Sequence, residues 1–179
     1  MKNGTRVIGL AGWSGSGKTT LITKALPRLV ARGLRVSTLK HAHHGFDVDK
    51  PGKDSFMHRS AGATEVMVSS QNRWALMTEL RGAPEPSVQE LLGRMAEVDL
   101  VVIEGFKRES FPKLEVYRAA NDKPLLHPDD RWIVAVASDG PLPQATVPVV
   151  DLNDVEKIAD ILMAKAIPIE AVRQAEAVG

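Results

Sequence analysis

The sequence predicts an α/β fold in which helices flank a mostly parallel β-sheet, with an antiparallel hairpin added. Three features indicate it. Segments with strand character alternate with segments of helical periodicity along the chain. The short run from Val98 to Ile103, apolar except for Asp99, is typical of a strand buried on both faces, and should lie centrally in the sheet. Two strand-like runs separated by a few polar residues predict the hairpin.

The composition is ordinary for a globular protein, and the length of 179 residues predicts one domain spanning residues 1–179. A net charge of +1 gives no overall positive field for nucleic acid or anionic membranes. The absence of cysteine excludes disulfide scaffolds, thiolate metal sites and cysteine nucleophiles. No apolar run approaches the roughly 20 residues that cross a bilayer. The N-terminus lacks a signal-peptide pattern, so a cytoplasmic location is predicted.

The first third of the chain predicts a strand, a helix and a second strand. Thr5 to Leu10 is apolar and β-branched and leads into a glycine-rich loop. Apolar residues then recur with helical spacing from Leu21 to Val30, and Gly33 offers a stop. Pro27 lies inside this helix and should weaken or kink one turn, because its ring removes a backbone donor. Leu34 to Lys40 predicts the second strand.

A long polar loop and the hairpin follow. Residues His41 to Lys53 carry glycine, proline and alternating charge, which indicates a loop. A short helix is predicted from Asp54 to a stop at Gly62. The hairpin strands are predicted at Thr64 to Ser69 and at Arg73 to Glu79.

The second half of the chain continues the alternation. Asn153 with Glu156 resembles a capping box at the start of the last helix. The predicted elements are a helix from Val88 to Ala96, strands at Val98–Ile103, Leu114–Arg118 and Trp132–Ser138, and a helix from Val155 to Lys165.

The loop after the first strand carries the Walker A pattern G-x-x-x-x-G-K-[ST], as Gly12-Trp-Ser-Gly-Ser-Gly-Lys-Thr19. It lies where this motif must lie, after a predicted strand and at the start of a predicted helix. Glycines let consecutive N–H groups turn toward an anion, and the helix directs its positive dipole end at the same point. The sequence therefore predicts a P-loop NTPase-like domain that binds a nucleoside triphosphate.

Each residue of this loop has a predicted role. Lys18 should reach the β- and γ-phosphates, the Thr19 hydroxyl should ligate Mg²⁺, and Thr20 can contact the α-phosphate. The predicted nucleotide-binding residues of the loop are Gly12, Ser14, Gly15, Ser16, Gly17, Lys18, Thr19 and Thr20.

A carboxylate for the magnesium side is expected at the carboxyl end of a buried strand, where ligands of open α/β sheets collect. Glu104 closes the apolar run that begins at Val98 and is the candidate, with Lys18, for catalysis. Because glutamate is one methylene longer than aspartate, we expect Glu104 to act through an intervening water or to orient the hydrolytic water. The alternative is an ordinary strand-end acid. Lys107 and Arg108 either place a cation on the γ-phosphate or are solvated.

Two further strings carry a family resemblance: Lys40-His-Ala-His-His-Gly-Phe-Asp-Val-Asp-Lys-Pro-Gly-Lys-Asp-Ser55 and Val102-Ile-Glu-Gly-Phe-Lys107. With the phosphate loop, Ser70 to Thr78 and Val134 to Asp139, they resemble the molybdopterin-guanine dinucleotide biosynthesis protein B (MobB) family over nearly the whole chain. The resemblance implies a homodimeric GTP-binding protein with weak GTPase activity. It also implies that the protein assists the guanylyltransferase that attaches GMP to molybdopterin.

The sequence lacks the motif that usually predicts guanine specificity in GTPases. The Asn-Lys-x-Asp box is absent, and Asn121 to Pro124 holds a scrambled version. Asp139 ends a predicted strand at the same sheet edge, where its carboxylate could accept both N1–H and N2–H of guanine. The alternative is a turn-initiating aspartate before Gly140.

Two other functions remain possible besides that of a GTP-binding adapter protein that assists the guanylyltransferase. A small-molecule or nucleotide kinase is compatible with the fold, although the candidate lid from Lys107 to Lys113 is short and contains Pro112. A metal-delivery GTPase would use the histidines of the 41–58 region, which could equally face nucleotide, partner or solvent. These histidines are His41, His43, His44 and His58.

The hairpin is the predicted homodimer contact. Its two strands carry Val66, Val68, Trp74 and Leu76, which would gain from cover on an exposed face, and an edge strand can pair with its copy. The three tryptophans are scattered rather than interleaved with basic residues, so no nucleic-acid partner is predicted.

Overall fold

A computed structural model describes residues 4–42, 45–107 and 109–175. Within them the chain forms two compact units. The larger unit is built from the residues up to His41 and from Leu91 onward, and the smaller unit runs from Ala42 to Glu90. The expectation of one domain over residues 1–179 stays a prediction.

The larger unit is organised around a parallel sheet. In the described residues its strands are β1 (Arg6–Ala11), β2 (Val36–Lys40), β5 (Leu100–Glu104), β6 (Lys113–Tyr117), β7 (Ile133–Ser138) and β8 (Val149–Asp151). Their order is β2-β5-β1-β6-β7-β8, and every adjacent pair is parallel. A two-residue strand, β9 (Ile167–Pro168), pairs antiparallel with β1. This arrangement, with the separate hairpin described below, confirms the predicted α/β fold class.

The helices of the described residues include α1 (Lys18–Ala31), α3 (Val88–Arg94), α4 (Val155–Lys165) and α5 (Ile169–Ala175). Helices α1 and α4 pack their apolar faces on this sheet. Leu21, Ala25 and Leu29 of α1 form one core with Ile158 and Leu162 of α4 and with β1 and β5. No helix within the described ranges combines the length and the apolar composition that a bilayer crossing requires.

The core contains the buried strand and the first helix that the sequence predicted. β5 lies between β2 and β1, and its first four residues are buried, as the apolar run predicted. Helix α1 continues past Pro27 to Ala31, and Gly33 follows with a φ of 84°. The strand predicted from Leu34 begins at Val36.

The capping box predicted for α4 is wrong. Asp154, not Asn153, is the N-cap, because its Oδ1 accepts the backbone N–H of Lys157 at 3.1 Å. The backbone N–H of Asn153 instead donates to Oδ1 of Asp151 at 2.7 Å, so Asn153 belongs to the turn that precedes the helix.

The smaller unit contains the predicted hairpin and a short helix. Strands β3 (Glu65–Ser69) and β4 (Trp74–Thr78) pair antiparallel, and α2 runs from Asp54 to Ser60, two residues before Gly62. Arg59 of α2 donates to Oδ2 of Asp47 at 2.8 Å and to Oε1 of Glu79 at 2.9 Å. The loop after residue 45 is therefore tied to the helix and the hairpin rather than being wholly solvated.

The hairpin register divides its apolar residues between two faces. Val66 and Val68 share one face, and Val66 is 7% exposed. Trp74 and Leu76 lie on the other face with Met67, and these three side chains are 67%, 42% and 63% exposed. The expectation that Val66, Val68, Trp74 and Leu76 share one exposed face is wrong, since side chains alternate along each strand.

Candidate nucleotide-binding site

The phosphate loop connects β1 to α1 along a path that requires glycine. Gly12, Gly15 and Gly17 have φ angles of 143°, 81° and 95°, in the region that favours glycine. A Cβ on Gly12 would also lie 2.5 Å from the carbonyl oxygen of Val116. The loop therefore keeps its backbone close to the neighbouring strand β6, and the spacing of its glycines has a geometric reason.

Lys18 folds back over the loop. Its Nζ donates to the carbonyl oxygens of Gly12 and Trp13, each at 2.9 Å. Burial lowers the pKa of Lys18; the Glu104 carboxylate opposes this shift, and the nearby Lys107 and Lys40 add to it. The half-buried ammonium is thus held among exchangeable carbonyl partners where phosphate oxygens are expected to replace them.

The serine hydroxyls of the loop differ in their surroundings. Ser16 is 2% exposed, and its hydroxyl has no hydrogen-bond partner within the described part of the chain. The backbone N–H of Ser16 donates to the carbonyl oxygen of Trp13 at 3.2 Å, which closes a turn within the loop. Ser14 is exposed.

Thr19 and Glu104 meet at the mouth of the loop. The Thr19 hydroxyl lies 3.1 Å from Oε1 and 3.3 Å from Oε2 of Glu104. Lys40, at the end of β2, places its Nζ 3.5 Å from Oε1. A hydroxyl and a carboxylate side by side form the kind of oxygen donor set that Mg²⁺ prefers, so these residues fit the predicted ion.

The histidines of the 41–58 region are the alternative metal site that the sequence left open. In residues 4–42, 45–107 and 109–175, no group of three or more His, Cys, Asp or Glu side chains is placed to hold a metal ion. His41 packs its ring against Phe106, with centroids 4.6 Å apart. His43 and His44 lie outside the described residues, as does Arg108.

Asp139 lies directly after β7, at the carboxyl edge of the sheet. Its Oδ1 accepts the backbone N–H of Ala119 at 3.1 Å, and its Oδ2 is 3.8 Å from Nη1 of Arg118. The Arg118 Nε donates to the carbonyl oxygen of Ser16 at 3.2 Å. Arg118 therefore links the phosphate loop to Asp139.

Sequence reasoning missed Arg118. A basic residue after a strand is common on protein surfaces and carries little information by itself. The informative signal would have been the pairing of β1 with β6, which brings the residue after β6 beside the loop after β1.

A small surface groove lies along α1 beside the loop. Thr20, which was predicted to contact the α-phosphate, lies in this groove, and Asp139 is not one of the residues that line it. The lining residues are Gly17, Thr20, Leu21, Lys24, Arg118, Leu152 and Asn153.

The family relationship follows from comparison with known proteins. The family model described as MobB, molybdopterin guanine dinucleotide synthesis protein B, matches residues 7–139. The chain belongs to the MobB family. The matched range contains every residue of the phosphate loop together with Glu104 and Asp139. Membership in MobB confirms the resemblance inferred from the sequence.

Two curated MobB relatives match most of the chain. The molybdopterin-guanine dinucleotide biosynthesis adapter protein of Escherichia coli (strain K12) is 48% identical, over 88% of this chain and 91% of that protein. The protein of the same name from Haemophilus influenzae is 41% identical, over 90% of each.

Solved MobB structures share the fold. A crystal structure of molybdopterin-guanine biosynthesis protein B superposes with a TM-score of 0.70 at 27% identity, covering 88% of this chain and 98% of that one. The MobB homologue from Bacillus stearothermophilus gives a TM-score of 0.63 at 26% identity, covering 94% and 98%.

Proposed function

We propose that this chain is a GTP-binding adapter protein of molybdopterin-guanine dinucleotide biosynthesis. The observation that carries the proposal is the glycine-dependent phosphate loop, with Lys18 folded over it and Thr19 beside Glu104. The relatives named as adapter proteins supply the pathway. The adapter role, GTP as ligand and the guanylyltransferase as partner are parts of one proposal, together with a cytoplasmic location.

Binding would begin with the triphosphate entering the loop. Backbone N–H groups of the glycine-rich loop would surround the anion, and Lys18 would exchange the carbonyls of Gly12 and Trp13 for β- and γ-phosphate oxygens. Thr20, which lies in the groove along α1, would contact the α-phosphate. These contacts explain affinity for a nucleoside triphosphate without involving the sheet core.

Mg²⁺ would be held by Thr19 and Glu104. The bound ion would neutralise charge on the phosphate oxygens. Glu104 keeps a carboxylate at the carboxyl end of β5, where it can act through an intervening water or orient the attacking water. The positive charge of Lys40, whose Nζ lies 3.5 Å from Oε1 of Glu104, offsets the negative charge of that carboxylate.

Asp139 is the proposed guanine reader. An ionised carboxylate offers about four acceptor positions, so the hydrogen bond from Ala119 leaves capacity for N1–H and N2–H of guanine. Adenine offers no such pair of donors on that edge, which gives the carboxylate a physical basis for discrimination.

Hydrolysis by the chain alone should be slow. Arg118 is engaged with Ser16 and Asp139 rather than directed at the mouth of the loop. P-loop GTPases that no partner assists turn over at about 10⁻⁴ to 10⁻² s⁻¹. The site therefore favours retention of GTP, which suits a protein that assists the guanylyltransferase.

Calorimetric titration of the purified chain with GTP, GDP and ATP tests the proposal. We expect Mg²⁺-dependent GTP binding and much weaker ATP binding. Equal affinity for GTP and ATP would contradict guanine selection, and absence of binding to any of the three nucleotides would contradict the proposed function as a whole.

A further inference from the structure

Lys113 is a buried lysine directly beside the strand that leads into the phosphate loop. It lies on β6, is 1% exposed, and pairs in register with Gly9 of β1. A Cβ on Gly9 would lie 2.7 Å from Cγ of Lys113 and 2.6 Å from the ring of Phe111. The absence of a side chain at Gly9 therefore makes the room that the lysine stem occupies.

The ammonium of Lys113 has a partner for each of its N–H groups. Its Nζ donates to the carbonyl oxygens of Lys107 and Glu109, each at 2.8 Å, and lies 2.8 Å from Oδ2 of Asp130. Oδ1 of Asp130 in turn accepts the backbone N–H of Trp132 at 2.9 Å. A buried charge is tolerated only when it is paired and hydrogen-bonded in this way. Lys113 thus fixes the backbone that follows β5.

The backbone held by Lys113 carries a second cation to the phosphate loop. The Nζ of Lys107 lies 4.7 Å from the centroid of the Trp13 ring, within cation–π distance. The indole N–H of Trp13 donates to the carbonyl oxygen of Pro124 at 2.8 Å, which orients the ring. Lys107 therefore has a defined position rather than extending freely into solvent.

Lys107 and Lys18 gather at the same end of the loop. The carbonyl oxygen of Trp13 accepts from Lys18, the residue expected to reach the β- and γ-phosphates, while the Trp13 ring faces Lys107. Burial is the main cause of the lowered pKa of Lys18, and the charge of Lys107 lowers this pKa further. Two cations on the same residue of the loop repel each other, and a polyanion between them would remove the repulsion.

We propose that Lys107 contacts the terminal phosphate of the bound nucleoside triphosphate and that Lys113, together with Asp130, is the positioning residue that holds it there. This inference rests on the proposed nucleotide-binding function and adds a residue that distinguishes triphosphate from diphosphate. A contact to the terminal phosphate strengthens GTP binding and leaves GDP binding unchanged.

The ratio of GTP to GDP affinity is the readout, because general loosening of the fold would lower both affinities together. Lys107→Ala should weaken GTP binding about tenfold, as expected for loss of one charge-assisted contact, and leave GDP binding within about twofold. Lys165→Ala removes an exposed lysine at the end of α4 and is the matched control, with both affinities unchanged.

Lys113→Met should give the same loss of the GTP-to-GDP ratio, and the Lys107→Ala, Lys113→Met double variant should lose no more than either single variant. If Lys113→Met does not fold, Asp130→Asn keeps a side chain of the same size while removing the charge partner, and should lower the ratio in the same direction. All variants are measured by calorimetric titration with Mg²⁺ present, after thermal unfolding has confirmed the fold.

The outcomes separate the inference from the function on which it rests. A wild-type chain that binds GTP, with a Lys107→Ala variant that behaves like Lys165→Ala, overturns the terminal-phosphate contact. Equal weakening of GTP and GDP in the Lys113→Met and Asp130→Asn variants overturns the positioning role. A wild-type chain that binds neither nucleotide overturns the proposed function and this inference together.

Discussion

The Thr19 hydroxyl donates to the Glu104 carboxylate at 3.1 Å, across a separation of 85 residues in sequence. The parallel pairing of β1 with β5 places Leu10 opposite Glu104, and the phosphate loop then brings Thr19 back over the same strand end. The pairing of the two buried strands therefore brings Thr19 and Glu104 together, although they are far apart in the sequence.

Glu104→Gln should leave GTP binding nearly intact and slow hydrolysis by roughly 10²-fold, since the amide keeps the size and polarity of the side chain but loses its charge. GTP turnover and calorimetric titration measure the two effects separately. Glu97→Gln changes an exposed acid just before β5 and is the control. Unchanged turnover in Glu104→Gln would mean that Glu104 is a structural strand-end acid.

Lys18→Ala should abolish nucleoside triphosphate binding with little change in the free energy of unfolding. The side chain makes its hydrogen bonds to carbonyls of the loop and not to the core, so its loss leaves the packing of the sheet intact. Titration with GTP and Mg²⁺, followed by thermal unfolding, checks both parts. Wild-type affinity in this variant would refute the assignment of the loop.

Asp139→Ala should weaken GTP binding by about 1.5–3 kcal/mol, the range for hydrogen bonds to a charged group, and leave ATP binding nearly unchanged. Asp139→Asn is a more specific second variant. Its amide oxygen can still accept the backbone N–H of Ala119, whereas its NH₂ group would face the N–H donors of guanine. Asp129→Asn, an exposed acid in the connection before β7, is the control. If GTP and ATP weaken equally, guanine is read elsewhere.

The chain should be a homodimer at micromolar concentration, with the exposed hairpin face of Met67, Trp74 and Leu76 at the contact. Trp74→Glu should shift sedimentation toward the monomer, because a charge would be buried against an apolar surface. Val30→Glu alters an exposed apolar residue of α1 and should have no effect. A monomeric wild-type chain would refute this prediction.

The elements that local sequence could predict are those with a strong local signal. The phosphate loop, the buried strand β5 and the hairpin each lie within two residues of their predicted bounds. Strand β8 was missed because Val149 to Asp151 is only three residues long and follows a proline-rich turn. Strand β9, which contains Pro168, exists through its pairing with β1 rather than through any pattern of its own.

The site residues also fall into two groups, those that local sequence marks and those that depend on strand pairing. Lys18, Thr19 and Glu104 could be proposed because a motif or a strand end marks them. Arg118 and Lys113 acquire their contacts from the pairing of β6 with β1, which no single segment encodes. The predicted exposed face of the hairpin failed for a similar reason, since the register of β3 against β4 decides which residues share a face.

This chain should retain GTP and assist dinucleotide formation without being a fast enzyme itself. The most direct test follows molybdopterin-guanine dinucleotide formed by the guanylyltransferase from molybdopterin and GTP, with the wild-type chain, with Lys18→Ala, and with neither. GTP consumption by the chain alone, and with small-molecule acceptors, is measured in parallel. We predict turnover of about 10⁻⁴ to 10⁻² s⁻¹ in the absence of the partner, a higher dinucleotide yield with the wild-type chain, and no gain with Lys18→Ala. An equal yield in all three reactions would contradict the claim, as would phosphoryl transfer to an acceptor at the 1–100 s⁻¹ typical of kinases.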